Sequence, residues 1–484
     1  MEPRRPHPHP HLEPCSHPFL HVDVSPSTIK TPGFKHYFRR PTYAERLDAA
    51  TPTGGPSKIR YDAATARAEA TLAQTFPAPL VLPGDWLFEH PETYHEGCHQ
   101  PLSLWRERRP RWCTSVRDLQ AVYVVPPPSI PDELAFLKSW SAPSGENYVD
   151  SSSAANMTKD IFDYLGAHFH PVPVHLLPPR LRFTTEPGGG TDDSEPALSL
   201  RIAGPKGPDW DPISTRPAPD GVFPQQLDVD CFLSRDQFDD LSRPGERIMV
   251  VMVVEQDLFD AEDPETSPLC SHWKVLDGRS LTELPAVVVS AARYHPSLFR
   301  EKGLSGEIDM RHVWPSSHCR NSIESKCRWR VARGRDEGCA LGAEDTAMGA
   351  AMRAAVGVHE TGEDAWFGRV VRRLTRQLGN LSEMGDCAYY ACVMQHSLSI
   401  AEEVTQPPYL CPVCLTKWTE VITEYGHGGS ASDSELVLER YERLRMVTEG
   451  WKDRNAPMLV GYHAWLEKRV EHLREEGGGG MPVS

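Results

Sequence analysis

Four cysteines in one short segment constrain this chain more than any other feature of its sequence. Cys387, Cys392, Cys411 and Cys414 follow the pattern C-x4-C-x18-C-x2-C. A Cys-x-x-Cys pair offers two thiolates from one turn, which is half of a tetrahedral zinc site, and a second pair can close the shell. A redox Cys-x-x-Cys pair and unrelated buried cysteines are the alternatives. We favour one structural zinc ion, which stabilises the fold and leaves no open position for a substrate.

The composition indicates a globular core that carries long irregular segments. The chain of 484 residues is 39% hydrophobic and contains 45 prolines. Its formal net charge of −16 argues against a broad surface for nucleic acid or an anionic membrane. Its apolar runs are too short to span a bilayer, and the first residues lack the apolar region of a signal peptide. We therefore expect an intracellular protein, cytoplasmic or nuclear, in a reducing compartment where clustered cysteines bind metal more often than they form disulfides.

The order of patterns along the chain predicts an α/β domain between irregular ends. Residues 1–35 alternate proline with histidine, which favours a mobile arm, and residues 36–116 form an irregular N-terminal segment. Strand and helix patterns alternate over residues 117–425, which is typical of an α/β domain. Residues 426–484 predict two amphipathic helices, packed as an antiparallel pair, and a glycine-rich tail. The arm could bind metal weakly through five histidines: His7, His9, His11, His17 and His21.

Apolar patterns place the main elements of the predicted domain. ERIMVVMVVEQDLF, residues 246–259, is apolar on both faces and predicts a central buried strand, and residues 285–296 predict a second one. A proline in the first turn predicts a helix at residues 130–140, and Asn156 is the expected N-cap of another. A longer helix is indicated by core residues at helical spacing: Phe367, Val370, Val371, Leu374, Leu378 and Leu381.

The end of this helix and the cysteines that follow it resemble the archaemetzincins. In that family a zinc peptidase motif, HExxHxxGxxH, runs directly into C-x4-C-x-M, and a C-x2-C pair follows. Here CAYYACVM supplies Cys387, Cys392 and the family's methionine at Met394, and the spacer to CPVC is one residue short. The resemblance covers most of residues 117–475. It implies a metzincin-like fold, in which a twisted mixed sheet lies over an active-site helix, and zinc metallopeptidase activity.

The catalytic motif departs from the family at every position. Aligned residue by residue, its three histidines fall on Arg376, Asn380 and Asp386, its glutamate on Gln377 and its glycine on Glu383. A permanent cation repels a metal ion, and glutamine cannot take the proton that the glutamate takes from zinc-bound water. The resemblance therefore implies a kept scaffold and a lost catalytic centre, without a second, catalytic zinc. We expect Gln377 and Asp386 to belong to an ordinary solvated helix end.

An HExxH motif does occur elsewhere, in HEGCH at residues 95–99. Helical spacing would place His95 and His99 on one face, with Glu96 beside them. The nearby prolines and the internal glycine are a poor context for a metal-binding helix. We favour a chance match. Arg293 and Tyr294, which follow the second predicted strand, are likewise given no substrate contact.

Two functional hypotheses remain, from different classes. The first is a pseudopeptidase, an inactive metzincin-like domain that keeps a structural zinc and binds a peptide or protein partner. The second is an active zinc metallopeptidase with a rebuilt metal site. The missing histidines favour the first, and a decaying or wrongly assembled gene product without selected activity is a third possibility. The ligands of a rebuilt site would come from His95, His99, His312, His318, His359 and Asp386.

Overall fold

The computed structural model describes two compact units. The first takes residues 1–111, 305–421 and 429–484, and the second takes residues 112–304 and 422–428. Within them the described residues are 43–50, 75–77, 79, 101–112, 119–145, 152–179, 181–187, 198–204, 212–232, 247–259, 273–274, 285–295, 298, 313–315, 346–358, 362–397, 400–423 and 433–478.

Helices dominate the first unit and strands the second. The described helices are α1 (Tyr43–Ala50), α2 (Leu102–Trp112), α3 (Ser152–His168), α4 (Ala347–Ala355), α5 (Gly362–Leu381), α6 (Ile400–Glu403), α7 (Pro412–Ile422), α8 (Asp433–Thr448) and α9 (Pro457–Gly478). The described strands are β1 (Leu119–Val125), β2 (Val174–Leu176), β3 (Arg182–Pro187), β4 (Leu198–Ala203), β5 (Thr215–Arg216), β6 (Gln226–Asp228), β7 (Arg247–Val254), β8 (Leu258–Phe259), β9 (Trp273–Lys274) and β10 (Ala286–Ser290).

A mixed five-stranded sheet organises the second unit, in the order β2-β1-β7-β10-β9. Strands β2, β1, β7 and β10 are parallel to one another, and the edge strand β9 pairs antiparallel with β10. Strand β7 lies in the middle of the sheet, and its residues Met249, Val251 and Met252 are fully buried. The prediction of a central buried strand at residues 246–259 is confirmed, because a strand covered on both faces needs apolar side chains on both. The prediction of a strand at residues 285–296 is confirmed by β10.

Two smaller sheets complete the second unit. Strands β3 and β4 form an antiparallel hairpin, and β5, β6 and β8 form a three-stranded sheet. Apolar side chains from all three sheets meet in one core, which includes Val250 and Met252 of β7, Phe183 of β3 and Leu227 of β6. The core explains why the short strands are stable, since an isolated pair of strands is marginal in water.

Of two local predictions for the second unit, the helix at residues 130–140 is confirmed in part and the N-cap at Asn156 is wrong. Residues Asp132–Ser141 form a 3-10 helix with non-helical backbone at Leu134, not a regular α-helix. The helix expected to begin after Asn156 starts at Ser152, so Asn156 lies inside α3 and does not cap it. Cap preference is a local signal of about 1 kcal/mol, and the neighbouring residues outweigh it here. Helix α3 packs through an apolar face, on which Ile161, Tyr164 and Leu165 are buried.

Helix α9 is the centre of the first unit. It packs against α4, α5 and α8, and an added Cβ at Gly461 would lie 2.9 Å from Pro315. Helices α8 and α9 run antiparallel. Thr448 at the end of α8 contacts His463 near the start of α9, whereas the earlier Glu442 contacts the later Arg474. The predicted antiparallel pair is thus confirmed. The two helices group with α5 and the cysteine segment in one unit, while the predicted boundaries at residues 35, 116 and 425 stay predictions.

Helix α5 buries the stripe that the sequence predicts. Val370, Val371, Leu374, Leu378 and Leu381 have no exposed surface. The helix runs into the cysteine segment, so it places the residues of the replaced catalytic motif. Among the described residues, no helix has the length and apolar character needed to cross a membrane.

Candidate metal centre and neighbouring charge network

Four sulfur atoms meet in the interior of the first unit. The Sγ atoms of Cys387, Cys392, Cys411 and Cys414 lie within 4.8 Å of one another, and all four residues are buried. Cys387 Sγ and Cys411 Sγ are 3.5 Å apart, far beyond the roughly 2.05 Å of a disulfide bond. Sulfurs bound at about 2.3 Å to one tetrahedral zinc ion would be roughly 3.8 Å apart. The four residues, which we name the cysteine cluster, therefore fit a zinc ion.

Backbone hydrogen bonds bring the two cysteine pairs together. The Cys387 N–H donates to the Met394 carbonyl at 2.7 Å, and the Val393 N–H donates to the Tyr409 carbonyl at 3.0 Å. The Cys411 N–H donates to Cys392 Sγ at 3.3 Å, which connects one pair to the other directly. Helix α7 begins at Pro412, so its first turn presents Cys414. The cluster is held by its own backbone as well as by any ion.

Without a metal the four thiols cannot all ionise. Hydrogen bonds from Cys392 and the other two cysteines hold the pKa of the Cys387 thiol well below its usual range. Burial raises the pKa of Cys411, and hydrogen bonding with Cys387 raises that of Cys414, both well above the usual range. One thiolate thus suppresses the next, whereas a zinc ion stabilises all four. When bound, zinc would act as a structural cross-link.

Lys417 is a buried cation close to the cysteine cluster. Its Nζ donates to the Met384 carbonyl at 2.9 Å, and only 2% of the residue is exposed. Burial lowers the pKa of the Lys417 ammonium, and the negative charge of the nearby cysteines opposes this effect. A tetrathiolate zinc site carries a net negative charge, so an ammonium here would offset part of it.

Met394, the methionine of the family pattern, packs under helix α5. It is fully buried, and an added Cβ at Gly379 would lie 2.7 Å from Met394 Cε. Real Cβ atoms do not approach that closely, so any larger residue here would force the buried end of Met394 to shift. The cysteine segment therefore folds back against the last turns of α5.

Two of the residues that the resemblance aligns with zinc-binding histidines, Arg376 and Asp386, belong to one charge network. Arg376 Nη2 donates to Asp386 Oδ1 at 3.0 Å, and Arg376 Nη1 donates to the hydroxyl of Ser397. His396 Nδ1 lies 2.7 Å from Asp386 Oδ2. Burial would raise the pKa of Asp386, but the Arg376 charge and the His396 hydrogen bond outweigh it and lower that pKa. Arg376, Asp386, His396 and Ser397 are named the arginine network below.

The expectation of an ordinary solvated helix end is wrong for both residues concerned. Gln377 is only 3% exposed, and Asp386 is held by Arg376 and His396. An amphipathic stripe predicts one buried face, but α5 buries charged residues on its other faces too. Arg373, for example, pairs with Glu403 at 2.7 Å. Tertiary partners outside the helix cause this burial, and periodicity alone cannot reveal them.

Helix α5 ends in the turn that the family's glycine would make, although glutamate stands there. Glu383 has a φ of +56°, a left-handed conformation that favours glycine. The Met384 N–H donates to the Gly379 carbonyl and the Glu383 N–H to the Asn380 carbonyl, at 3.0 and 2.9 Å. These two bonds make a Schellman motif with Glu383 at C′. Glu383 therefore ends α5 in a turn that glycine usually makes.

Several predicted site residues lie outside the described part of the chain. These are the histidines of the HEGCH motif and of the N-terminal arm, together with His312, His318 and His359. By contrast, sequence reasoning missed His396 and Ser397. The sequence carries little signal for these two residues, because they match no motif. Their position just after Met394 of the cysteine pattern is the only indication.

The second unit contains a buried ion network and a cavity beside its parallel strands. Arg293 donates from Nε to Asp257 Oδ1 at 2.9 Å and also binds Asp220, so the expectation of no substrate role remains the simplest interpretation.

A cavity of about 470 Å³ lies where residues following β1, β2 and β7 meet. The chain goes from β1 to β2 on one side and then to β7 on the other. Ligands bind at such switch points in open α/β sheets. The cavity walls include Pro126, Ser129, Ile130, Leu176, Glu255 and Gln256.

Comparison with known proteins finds similarity to archaemetzincins over a short segment. The chain is 33% identical to human Archaemetzincin-1 over 73 residues, which are 15% of this chain and 12% of the relative. It is 31% identical to mouse Archaemetzincin-1 over 84 residues, which are 16% of this chain and 14% of the relative. The chain thus spans about an eighth of the length of these curated relatives.

No family model matches the chain, and no solved structure matches it. The resemblance inferred from the cysteine pattern is confirmed in part, as a relationship to archaemetzincins over 73 to 84 residues of this chain. This partial relationship points to the metallopeptidase-like class at most. The mixed α/β sheet agrees with the expected fold class, and the metzincin-like arrangement stays a prediction.

Proposed function

We propose that this protein is an archaemetzincin-like pseudopeptidase: an intracellular, metzincin-like scaffold, stabilised by a structural zinc, that binds a peptide or protein partner without cleaving it. One observation carries the proposal. Arg376, at the position of the first zinc-binding histidine, makes an ion pair with Asp386, at the position of the third.

The residues at this place do not fit a catalytic zinc ion. Arg376 keeps its positive charge at any physiological pH, and its side chain is only 7% exposed. The carboxylate that could have served as a ligand is already bound on one oxygen by Arg376 and on the other by His396. A zinc ion would have to displace a buried cation from both its partners, Asp386 and Ser397.

The general base of a peptidase is also missing. Gln377 replaces the glutamate that would accept a proton from water, and an amide has no useful basicity. Asn380, at the second histidine position, offers a poor metal ligand. The scaffold is nevertheless supported, because Met394 still packs on Gly379 and the turn at Glu383 is still left-handed.

The cysteine cluster supports the structural part of the proposal. Its four thiols are buried at the spacing of a closed tetrahedral site, which has no place for a substrate. A partner is more reasonably expected at the cavity of the second unit. Its volume of about 470 Å³ is in the range of roughly 300–1,000 Å³ found for ligand pockets.

Zinc content and peptidase activity test the proposal together. The full chain, purified without a His-tag, is dialysed against EDTA and measured by elemental mass spectrometry beside a Cys411→Ser, Cys414→Ser variant. We expect one chelator-resistant zinc in the native chain and none in the variant. A mixture of quenched fluorescent peptides should show no hydrolysis above the buffer rate.

Two results would overturn the proposal. Hydrolysis that EDTA abolishes and zinc restores would instead support an active peptidase with a rebuilt site. A chelator-resistant zinc that survives in the double variant would show that other residues hold the tight metal, with His95 and His99 as the first candidates.

Partner binding needs a separate measurement. Fluorescence anisotropy with a randomised peptide library should show saturable binding that Leu176→Trp weakens at least tenfold, because Leu176 lines the cavity and is 41% exposed. Met446→Trp is the control, since Met446 is an apolar residue on α8 that is 60% exposed and does not line the cavity. Equal binding by both variants would remove the cavity from the proposal.

A further inference from the structure

A second group of ligand-type side chains lies where α8 meets α9. His463 is on α9, Glu467 follows it one turn later, and Glu449 begins the 3-10 turn after α8. His463 Nε2 lies 3.4 Å from Glu449 Oε2 and 3.6 Å from Glu467 Oε1. The side chain of His463 is 5% exposed, while the two glutamates are about half exposed. A buried imidazole thus points one nitrogen toward two carboxylates at the surface.

The hydroxyl of Thr448 is placed to hold a hydrogen on Nδ1 of His463. Thr448 Oγ1 donates its one hydrogen to the Arg445 carbonyl at 3.2 Å. It lies 3.1 Å from His463 Nδ1, and while its hydrogen goes to the Arg445 carbonyl it can only accept a hydrogen bond from an Nδ1–H group. With the hydrogen on Nδ1, the Nε2 lone pair of a neutral imidazole faces both glutamates. This is the orientation that a metal-binding histidine usually receives from its hydrogen-bond partner.

The distances favour an ion between these groups over a direct hydrogen bond. A protonated imidazole would be expected to contact a carboxylate at about 2.7–2.9 Å, and both contacts here are longer. Ligand atoms at roughly 2.0–2.2 Å from one tetrahedral zinc are about 3.3–3.5 Å apart, close to the two distances found. A lone pair beside two carboxylates is repulsive unless a cation lies between them.

We propose that Glu449, His463 and Glu467 bind a divalent transition-metal ion such as zinc. The ion takes Nε2 of His463 and one oxygen from each glutamate, and water completes the shell on the exposed side. Lys452 contacts the other oxygen of Glu449, and the proposed metal site does not use that oxygen. The site is exchangeable, because its carboxylates face solvent, and it cross-links the end of α8 to α9.

Isothermal titration of zinc into the chelator-treated full chain tests this site. The buried cysteine cluster keeps its zinc, so the titration reports additional binding. We expect one further equivalent in the native chain and at least a tenfold weaker affinity in Glu467→Gln. Glu471→Gln is the control: Glu471 lies one turn further along α9, is similarly exposed at 53%, and pairs with Lys468. It should bind like the native chain.

Thermal unfolding gives an independent readout. The native chain should gain thermal stability with added zinc, since a ligand that binds only the folded state stabilises it, and Glu467→Gln should gain much less. Any zinc held by the N-terminal histidines is the same in both chains, so their comparison excludes it. The proposal is wrong if the native chain binds no further equivalent, or if Glu467→Gln and Glu471→Gln behave alike. Neither result bears on the cysteine cluster, which the double cysteine variant tests separately.

Discussion

At the scale of single residues, this molecule shows how a buried arginine is accommodated in the interior of a protein. Arg376 is 6% exposed, and it is compensated by a carboxylate and a hydroxyl rather than by solvent. His396 holds the second oxygen of that carboxylate. The network satisfies a charge inside the protein, and its members depend on one another.

Replacing Arg376 should therefore be strongly destabilising. Arg376→Gln removes the guanidinium from Asp386, and loss of one partner from a buried pair costs about 3–5 kcal/mol. Because the Asp386 side chain is 22% exposed, we expect the lower part of that range. Urea unfolding measures the change. Arg454→Gln, which breaks a longer and more exposed contact with Asp364, should cost about 0–1 kcal/mol, and an equal loss in both variants would contradict the proposed network.

Gly379 provides a second test at this scale. Gly379→Ala forces a Cβ against Met394, and such overpacking costs about 1–3 kcal/mol. Gly166→Ala in α3 has open space at its Cβ and should instead stabilise by about 0.5–1 kcal/mol, as alanine does in helices. Thermal unfolding of the two variants should move in opposite directions. The same sign for both would mean that the methionine contact is not tight.

At the scale of elements, the parallel strands of the second unit are tied at their carboxyl ends by Arg293. Asp257 follows β7 and Arg293 follows β10, and Arg293 binds Asp257 through two nitrogens. Gln226 of β6 donates to the same carboxylate at 2.9 Å. Asp220 adds a second, more exposed carboxylate. Arg293 thus connects the sheet of β7 and β10 with strand β6 through Asp257, and with the loop before β6 through Asp220.

The Asp220 contact makes part of the stability depend on pH. Burial alone would raise the pKa of Asp220, but hydrogen bonds from Arg293 and from the Val222 amide lower it below the ordinary value. A carboxyl with a lowered folded-state pKa contributes its full stability above the unfolded pKa of about 3.9. That contribution is lost as the pH falls through the folded-state pKa.

Comparing the free energy of unfolding of the native chain with that of Asp220→Asn tests this dependence. The native chain should be the more stable one at pH 6, and the difference should shrink toward pH 3. Acid release of zinc affects both chains and cancels from the difference. A difference that stays constant between pH 6 and pH 3 would show that Asp220 is not held by Arg293.

At the scale of the whole molecule, aromatic packing joins the cysteine segment to the C-terminal helices within the first unit. Tyr409, two residues before Cys411, stacks on Trp465 of α9 with ring centroids 4.3 Å apart. Phe76 and Tyr441 contact Trp465 edge-on, at 5.6 and 5.7 Å. The cysteine cluster and the helical pair therefore share a core.

This shared core predicts that a distant truncation loosens the cysteine cluster. Trp465→Ala should cost about 3–5 kcal/mol, as for other buried tryptophans, and it should speed zinc release to a colorimetric chelator. Met446→Ala, at a residue that is 60% exposed, should change stability by no more than about 0.5 kcal/mol and leave the release rate unchanged. Equal release rates in the two variants would mean that the helical pair does not support the cluster.

Local patterns in the sequence determined much of this fold. The apolar run of β7, the stripe of α5 and the amphipathic character of α8 and α9 each follow from periodicity within one segment. The cysteine spacing singled out the four thiols that the structure brings together. These signals succeed because each is contained in a short stretch of chain, where side-chain period and turn geometry are set by neighbours in sequence.

Only the tertiary structure decided how charges are used. Nothing in the sequence linked Arg376 to Asp386 and His396, or placed His463 between Glu449 and Glu467, since such pairs need the chain to fold back on itself. The sequence pattern predicted a solvated end for α5, but tertiary packing buries this end, and Arg376 pairs there with Asp386. The physical reason is that a charge removed from water must find a partner in space, and that partner need not be near in sequence.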